Sequence, residues 1–496
     1  MPATGTERQV MHANIGSLPD DAAPFKKARE RLISIPYMLL RASTAGGAVA
    51  TGFVQTFVFA RVLAPERFSI FIVVGAIGYT LWLADLGLAN ILFLNLRGPY
   101  LAGGKNEKAA HQATAVIVFY AALAIAASCL CFAAALAQPS STLRDAFELA
   151  LFLLYIALNL AWTSLRSVSI AVDQFLFYER LELVRRIVNI STMLAMLGGL
   201  SLTLFLIASN VLWALLFAAA WAKLVARGAL DRRLRGLLPA LQSFFTQNRH
   251  AIARSATGAL SGAFSVTFPY YVVPLWFGLG EAPIILEVTF RIFRGACVIF
   301  AAICDLAIPG QTRAVAARDA VRLVKTTLLV AGLCCVPAAI ACALLVFAGG
   351  PLFVFLLRSA ATIPHAIVPI LVALLLISVL QIVSEALLQY TGFFRSLAYN
   401  GAAVATGMVL VTAFAVVAKL DLVGFLAAYT LVYALGAICL AIAAVCGPVR
   451  AASVGHGETP PSDGSSSARR SAAHTPSAVP IRQGAARRIP QPNRNP

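Results

Sequence analysis

Of 496 residues, 60% are hydrophobic and only 12% are charged, yet the net charge is +18. A typical soluble chain is about 45–50% apolar and about 25% charged, so this much apolar surface excludes a water-soluble enzyme and points to an all-α integral membrane protein. The positive balance is therefore read against membrane topology before any nucleic acid is invoked as a partner, and none is expected.

The first 34 residues are polar and lack the short apolar core of a cleavable signal. Within this N-terminal arm, "FKKARERLIS" (25–34) reads either as a surface amphipathic helix or as a loose polar arm. Crossing a bilayer takes about 20 apolar residues in a helix. Runs of that kind predict twelve spans, near 35–60, 68–92, 112–137, 146–170, 184–206, 208–226, 255–278, 286–308, 326–348, 365–390, 397–418 and 422–446. "LIASNVLW" reads as the turn between the fifth and sixth. Pro269 and Pro274 predict a kink in the seventh.

A long basic connection, 227–254, separates a six-helix bundle at 35–226 from a second at 255–446. A faint repeat accompanies this division: "LADLGLAN" late in the second span matches "ICDLAIPG" late in the eighth. The tail, 447–496, is rich in Ser, Pro, Gly, Ala and Arg and nearly free of large apolar residues. It cannot bury enough surface to fold alone, so a disordered basic tail is expected.

Lys and Arg give the orientation. The arm and the connections on its side carry 24 of them, the opposite loops five, and the tail seven. Positive residues stay cytoplasmic, so both termini are expected in the cytoplasm and the loops on the other face are short. The nine cysteines all fall in apolar runs without metal-ligand spacing to histidine and read as small packing residues.

Three arginines remain inside spans: Arg41, Arg291 and Arg294. A charge at mid-bilayer costs about 2.5–3.5 kcal/mol on insertion scales, so each needs a reason. Residues three or four apart share a helix face. Arg41, Thr44, Thr51 and Gln55 form one polar stripe, Tyr155, Asn159, Trp162, Arg166 and Ser169 a second, and Thr257, Ser261 and Ser265 a third. Glu287, Arg291, Arg294 and Asp305 form another, as do Ser378, Gln381, Glu385 and Gln389. Lipid offers no hydrogen bonds, so such stripes are expected to face one another around an aqueous cavity. Blander roles stand beside this one: Glu287 as a structural partner of Arg291, Arg41 snorkelling to headgroups, and Asp85 and Glu385 as helix-end partners of basic residues.

The segment "VFARVLAPERFSIFIVVGAIGYTLWLADLGLAN" (58–90) resembles the first external loop and second helix of bacterial polysaccharide transporters, the Wzx-type flippases. The likeness rests on Arg61, Val62, Leu63, Ala64, Pro65, Glu66, Arg67 and Phe68, then Asp85, Leu86 and Gly87; Ala64 and Ser69 stand where the family usually has glycine. The resemblance implies the multidrug/oligosaccharidyl-lipid/polysaccharide exporter fold, with two six-helix bundles forming a V around a central cavity. It also implies a transporter rather than an enzyme, in the bacterial inner membrane. Such a protein flips polyprenyl-pyrophosphate-linked oligosaccharide to the outer leaflet by ion-coupled alternating access, for O-antigen, capsule or exopolysaccharide synthesis.

On that reading, Arg41, Arg291 and Arg294 hold the pyrophosphate, because guanidinium is a permanent cation with a planar donor fork. Thr44, Thr51, Gln55, Asn159 and Ser261 line the sugar path. Asp85 and Glu385 are the candidates for the coupling ion, Na⁺ or H⁺; no other cofactor is expected and no ATP-binding loop is present. The partners are the lipid-linked substrate, membrane lipids, and a polysaccharide polymerase with its glycosyltransferases. A lipid II flippase and a drug/cation antiporter would share the fold. A membrane glycosyltransferase or polymerase is the rival of a different class; the short outer loops argue against it. Deletion of 452–496 is expected to leave membrane insertion intact, as judged by the yield of monodisperse protein; loss of folded protein on truncation would refute the disorder assigned to the tail.

Overall fold

The computed structural model describes residues 35–83, 85, 87–101, 106–139, 141–358, 360–391 and 393–449. The arm (with 25–34), the tail from 450, and the side chains of Thr257 and Ser261 lie outside the described residues. The described chain is built of α-helices: α1 (Ile35–Val62), α2 (Pro65–Leu83), α3 (Leu88–Leu101), α4 (Glu107–Leu136), α5 (Leu143–Ala171), α6 (Phe175–Ala195) and α7 (Leu202–Ala226). Then come α8 (Leu237–Thr267), α9 (Pro269–Phe277), α10 (Glu281–Ala316), α11 (Ala320–Leu357), α12 (Ile367–Tyr390), α13 (Phe394–Val417) and α14 (Leu422–Ala444). Counting α2 with α3, and α8 with α9, gives twelve crossings. Among the described residues, eight helices, α1, α4, α5, α7 and α11–α14, are each long and apolar enough to cross a membrane.

Short polar residues set the helix starts. Asn106, Thr142, Ser201, Asp319 and Asp421 each accept a hydrogen bond from a first-turn N–H, and Thr142 with Asp145 closes a reciprocal capping box. Pro269 removes a donor and separates α8 from α9, at the expected kink.

Several expected boundaries are corrected. The turn between the fifth and sixth crossings is not at 206–213, which lies inside α7, but at Gly199–Ser201. Gly199 takes φ 104°, a conformation that a side chain disfavours. The fifth crossing accordingly starts at Phe175, so Arg180, Arg185 and Arg186 belong to helix α6 and not to a loop. The second crossing is interrupted around Asp85, with Gly87 at φ 75°. Most of the 227–254 connection is helical, because α8 begins at Leu237. This part of α8 packs on α4, where Gln112 donates to Gln247 at 3.2 Å and Phe119 meets Phe245 edge-on. Beside it His111 lies 3.1 Å from Asp231. The Arg233 N–H, with His111, holds the Asp231 carboxyl below the usual carboxylate range.

The two ends of the helix array differ. At the end carrying α1's start and α14's finish (the proximal end), Arg41 lies 3.8 Å from Asp305 of α10. At the distal end the two halves are stitched through backbone. Arg61 donates to the carbonyl oxygens of Phe355 and Leu356 and lies 3.5 Å over the Phe57 ring. Ser69 Oγ donates to the Gly280 carbonyl at 2.7 Å and accepts from the Gly280 N–H at 3.1 Å. Arg67 instead braces its own half, pairing with Asp145 at 2.7 Å and Glu148 at 2.5 Å. Helices α1 and α10 run antiparallel with a shared register: Arg41 meets Asp305 and Gln55 meets Arg291, fourteen residues apart on each helix.

Replacing Arg61 with Ala is expected to speed amide hydrogen exchange in the peptides around 63–72 and 355–361 while leaving the proximal end unchanged. Equal protection in both proteins would show that Arg61 does not hold the distal ends together.

Candidate functional site

Glu287, Arg291 and Arg294 occupy one face of α10, where i, i+4 and i+7 align. Burial leaves the carboxylate little choice of partner. Arg291 donates to Glu287 Oε1 from two nitrogens, the Nε at 2.7 Å. Arg294 reaches Oε2 at 3.0 Å, and the Tyr270 hydroxyl donates to the same oxygen at 2.6 Å. One carboxylate therefore serves two guanidiniums. The trio keeps one net positive charge, and the arginine side chains remain 12% and 21% exposed.

The first half supplies the opposite wall. Arg291 Nη1 bonds the Gly52 carbonyl and lies 3.2 Å from Gln55 Oε1. The Arg291 stem runs close beside Gly52, where a Cβ would make ordinary contact with it at 3.5 Å. Arg294 is held between two aromatic faces, Tyr79 of α2 at 4.8 Å and Tyr270 at 5.3 Å. Arg291, Glu287, Gln55, Tyr79 and Tyr270 border a narrow cleft of about 20 Å³, whose other walls include Phe59, Phe71 and Phe152; Arg294 is not among the residues that line it. The cleft thus has one charged polar corner, Arg291 with Gln55 and Glu287, against an aromatic lining.

The structure brings together Arg291, Arg294 and Gln55 of the residues expected from sequence. Arg41 stands apart, about 21 Å along α1 from Gln55. Thr44 donates to Glu179 at 2.8 Å, away from the cleft. Thr51 bonds the Gly47 carbonyl and Asn159 the Ile156 carbonyl, each within its own helix. The Ser261 side chain lies outside the described residues. Asp85 accepts from the Tyr120 hydroxyl at 2.8 Å and, more loosely, from the Ala89 N–H, which ties the α2–α3 break to α4. Glu385 on α12 lies within electrostatic reach of Cys297 and Cys304. Among the described residues it has no hydrogen-bond or ion-pair partner. No group of His, Cys, Asp and Glu among the described residues could hold a metal ion.

Sequence reasoning missed a second charged cluster. Glu179, Glu182, Arg185 and Arg186 of α6 lie inside the first half, where Trp162 donates to Glu182 at 2.9 Å and Arg185 stacks 4.5 Å over Trp213. The signal was present, since 179, 182, 185 and 186 share a helical face. Placing α6 nine residues too late hid it.

No protein-family model matches the chain, and no curated protein matches it. Solved structures do. An inward-facing multidrug resistance MATE family transporter of the MOP superfamily aligns over 84% of this chain and 98% of its own, with TM-score 0.58 at 11% identity. The fold is that of the MATE transporters. Vibrio cholerae VcmN, in its bent form, aligns over 86% of this chain and 98% of its own, with TM-score 0.55 at 13% identity. A MOP superfamily transporter from Pyrococcus furiosus, whose binding pocket is described as having reverse polarity, aligns over 86% and 96%, with TM-score 0.52 at 14% identity. With its apolar helices, the MATE fold makes this a multi-pass membrane protein.

Glu287→Gln is expected to lower the unfolding temperature in detergent, because two guanidiniums lose their common counter-charge. Breaking a buried pair costs on the order of 3–5 kcal/mol. An unchanged melting curve would show that the arginines do not depend on this carboxylate.

Proposed function

We propose that the chain exports an anionic, lipid-linked substrate, a polyprenyl-pyrophosphate oligosaccharide, from the inner to the outer leaflet for cell-surface polysaccharide synthesis. The observation that carries this reading is the net positive Glu287–Arg291–Arg294 trio, of which Glu287 and Arg291 line the cleft. Excess positive charge at membrane depth is costly unless an anion or water meets it. A diphosphate offers planar groups of oxygens that match the guanidinium fork. The aromatic walls suit sugar rings and isoprenoid more than a hydrated ion. The MATE fold is compatible with this chemistry, as the reversed pocket polarity described for the Pyrococcus furiosus protein illustrates.

Alternating access then has a structural counterpart. Opening towards the outside requires Arg61 to release Phe355 and Leu356, and Ser69 to release Gly280. With positive residues inside, the distal end is the outer face, both termini are cytoplasmic and the cleft is loaded from the cytoplasmic leaflet. Glu385, without a partner among the described residues, is the better placed of the two coupling candidates; Asp85 is tied down by Tyr120. Arg41, with Asp305, serves the proximal entrance rather than the cleft.

A drug/cation antiporter is the second reading, and the Glu385 carboxylate, without a partner among the described residues, is the feature that favours it. The net positive trio of Glu287, Arg291 and Arg294 opposes it.

Arg294→Ala should lower surface polysaccharide while protein remains in the membrane, with lipid-linked glycan accumulating on the inner leaflet. Undiminished export by that variant would remove the anion site. Raised sensitivity to cationic drugs in the deletion strain, with normal polysaccharide, would select the antiporter.

A further inference from the structure

The charged cluster in the first half is larger than structural pairing requires. Glu182 is saturated: Arg185 donates to both its oxygens, at 2.5 and 2.9 Å, Arg186 donates at 2.8 Å and Trp162 at 2.9 Å. Glu179 is bonded closely only by Thr44, at 2.8 Å; Arg41 and Arg166 stand off at 3.5 and 3.8 Å. Those are ion-pair distances beyond good hydrogen bonds. Four guanidiniums thus surround two buried carboxylates. Arg41, Arg166 and Arg186 are 20–32% exposed, while Arg185 is buried against Trp213. Asp305 lies 3.8 Å from Arg41.

The cluster lies nearer the proximal end than the cleft does. Arg186 crosses α1 at Gly47, where a Cβ would lie 3.4 Å from its own Cβ, and Arg291 crosses at Gly52. The two crossing points are five residues, about 7.5 Å, apart along α1. They lie on different sides of that helix.

We infer that Arg41, Arg166 and Arg186 form a second diphosphate station, on the cytoplasmic side of Arg291 and Arg294, which receives the head group before the cleft does. This deepens the proposed function and rests on it for the direction of travel. Arg185 positions Glu182 and does not contact the anion. Glu179 acts as the displaceable counter-ion: an arriving phosphate takes over donors of Arg41 and Arg166, which Glu179 engages only at long range, while Arg186, bonded to Glu182 at 2.8 Å, adds its charge. No bond is made or broken in the substrate.

The test is titration of the purified full-length protein, in phosphatidylcholine nanodiscs, with inorganic pyrophosphate. Two binding events are expected. Arg166→Gln with Arg186→Gln should weaken one on the order of tenfold or more and spare the other; Arg291→Gln with Arg294→Gln should do the reverse. Glu179→Gln should tighten binding at the inner station, a gain that a purely structural carboxylate would not give. Melting curves confirm that each variant is folded, and Arg166→Lys, which keeps the charge, guards against a variant that is not. Unchanged pyrophosphate affinity in both Arg166→Gln/Arg186→Gln and Glu179→Gln would overturn the inference, as would no binding by the wild type. Loss on Arg166→Gln/Arg186→Gln with no effect of Arg291→Gln/Arg294→Gln would uphold the inner station and sink the cleft site instead. Polyprenyl diphosphate added to the nanodiscs should compete with pyrophosphate at this station if the natural ligand is lipid-linked; a station that only soluble diphosphate occupies would still stand as an anion site.

Discussion

Two guanidiniums answering to one carboxylate is the constraint around which the centre of the molecule is arranged. Glu287 cannot neutralise Arg291 and Arg294 at once. The surplus charge is spread over the Gly52 carbonyl, the Gln55 amide oxygen and the faces of Tyr79 and Tyr270. Each of these supplies partial negative charge without adding a second anion. The arrangement keeps the arginines oriented and leaves the corner electrically unsatisfied, the condition in which an anionic ligand gains most.

The same geometry joins the halves of the protein. Gln55 and Gly52 belong to the first, Arg291 to the second, so the basic corner is itself a contact between them. The register of α1 against α10 carries that contact from the cleft to the Arg41–Asp305 pair. The seam between the halves thus runs along two helices rather than through loops.

Much of this was legible in the sequence, and the failures have a common cause. The helical class, the twelve crossings, the Pro269 break and the alignment of Glu287, Arg291 and Arg294 all follow from hydropathy and period, which are local properties. The stripe containing Arg41, Thr44, Thr51 and Gln55 was correctly seen as polar, yet the structure divides it: Gln55 faces the cleft, Thr44 the α6 cluster, and Thr51 its own backbone. A stripe about 21 Å long passes several neighbours, and sequence cannot say which one each residue meets. The α6 charges were misplaced because a helix carrying two glutamates and three arginines falls below the apolarity that marks a span. The absence of α6 from the helices apolar enough to cross a membrane has the same origin.

The distal closure has an evolutionary corollary. Arg61 grips main-chain oxygens at 355 and 356, and Ser69 grips the backbone of Gly280. Every residue carries a carbonyl, so the hydrogen bonds themselves ask nothing of the receiving side chains; what restrains these is packing, with the Phe355 ring 5.0 Å from that of Phe57 and Leu356 buried, and the φ of 145° at Gly280. Position 356 should therefore exchange one apolar residue for another among close relatives of this chain, while Arg61 should persist.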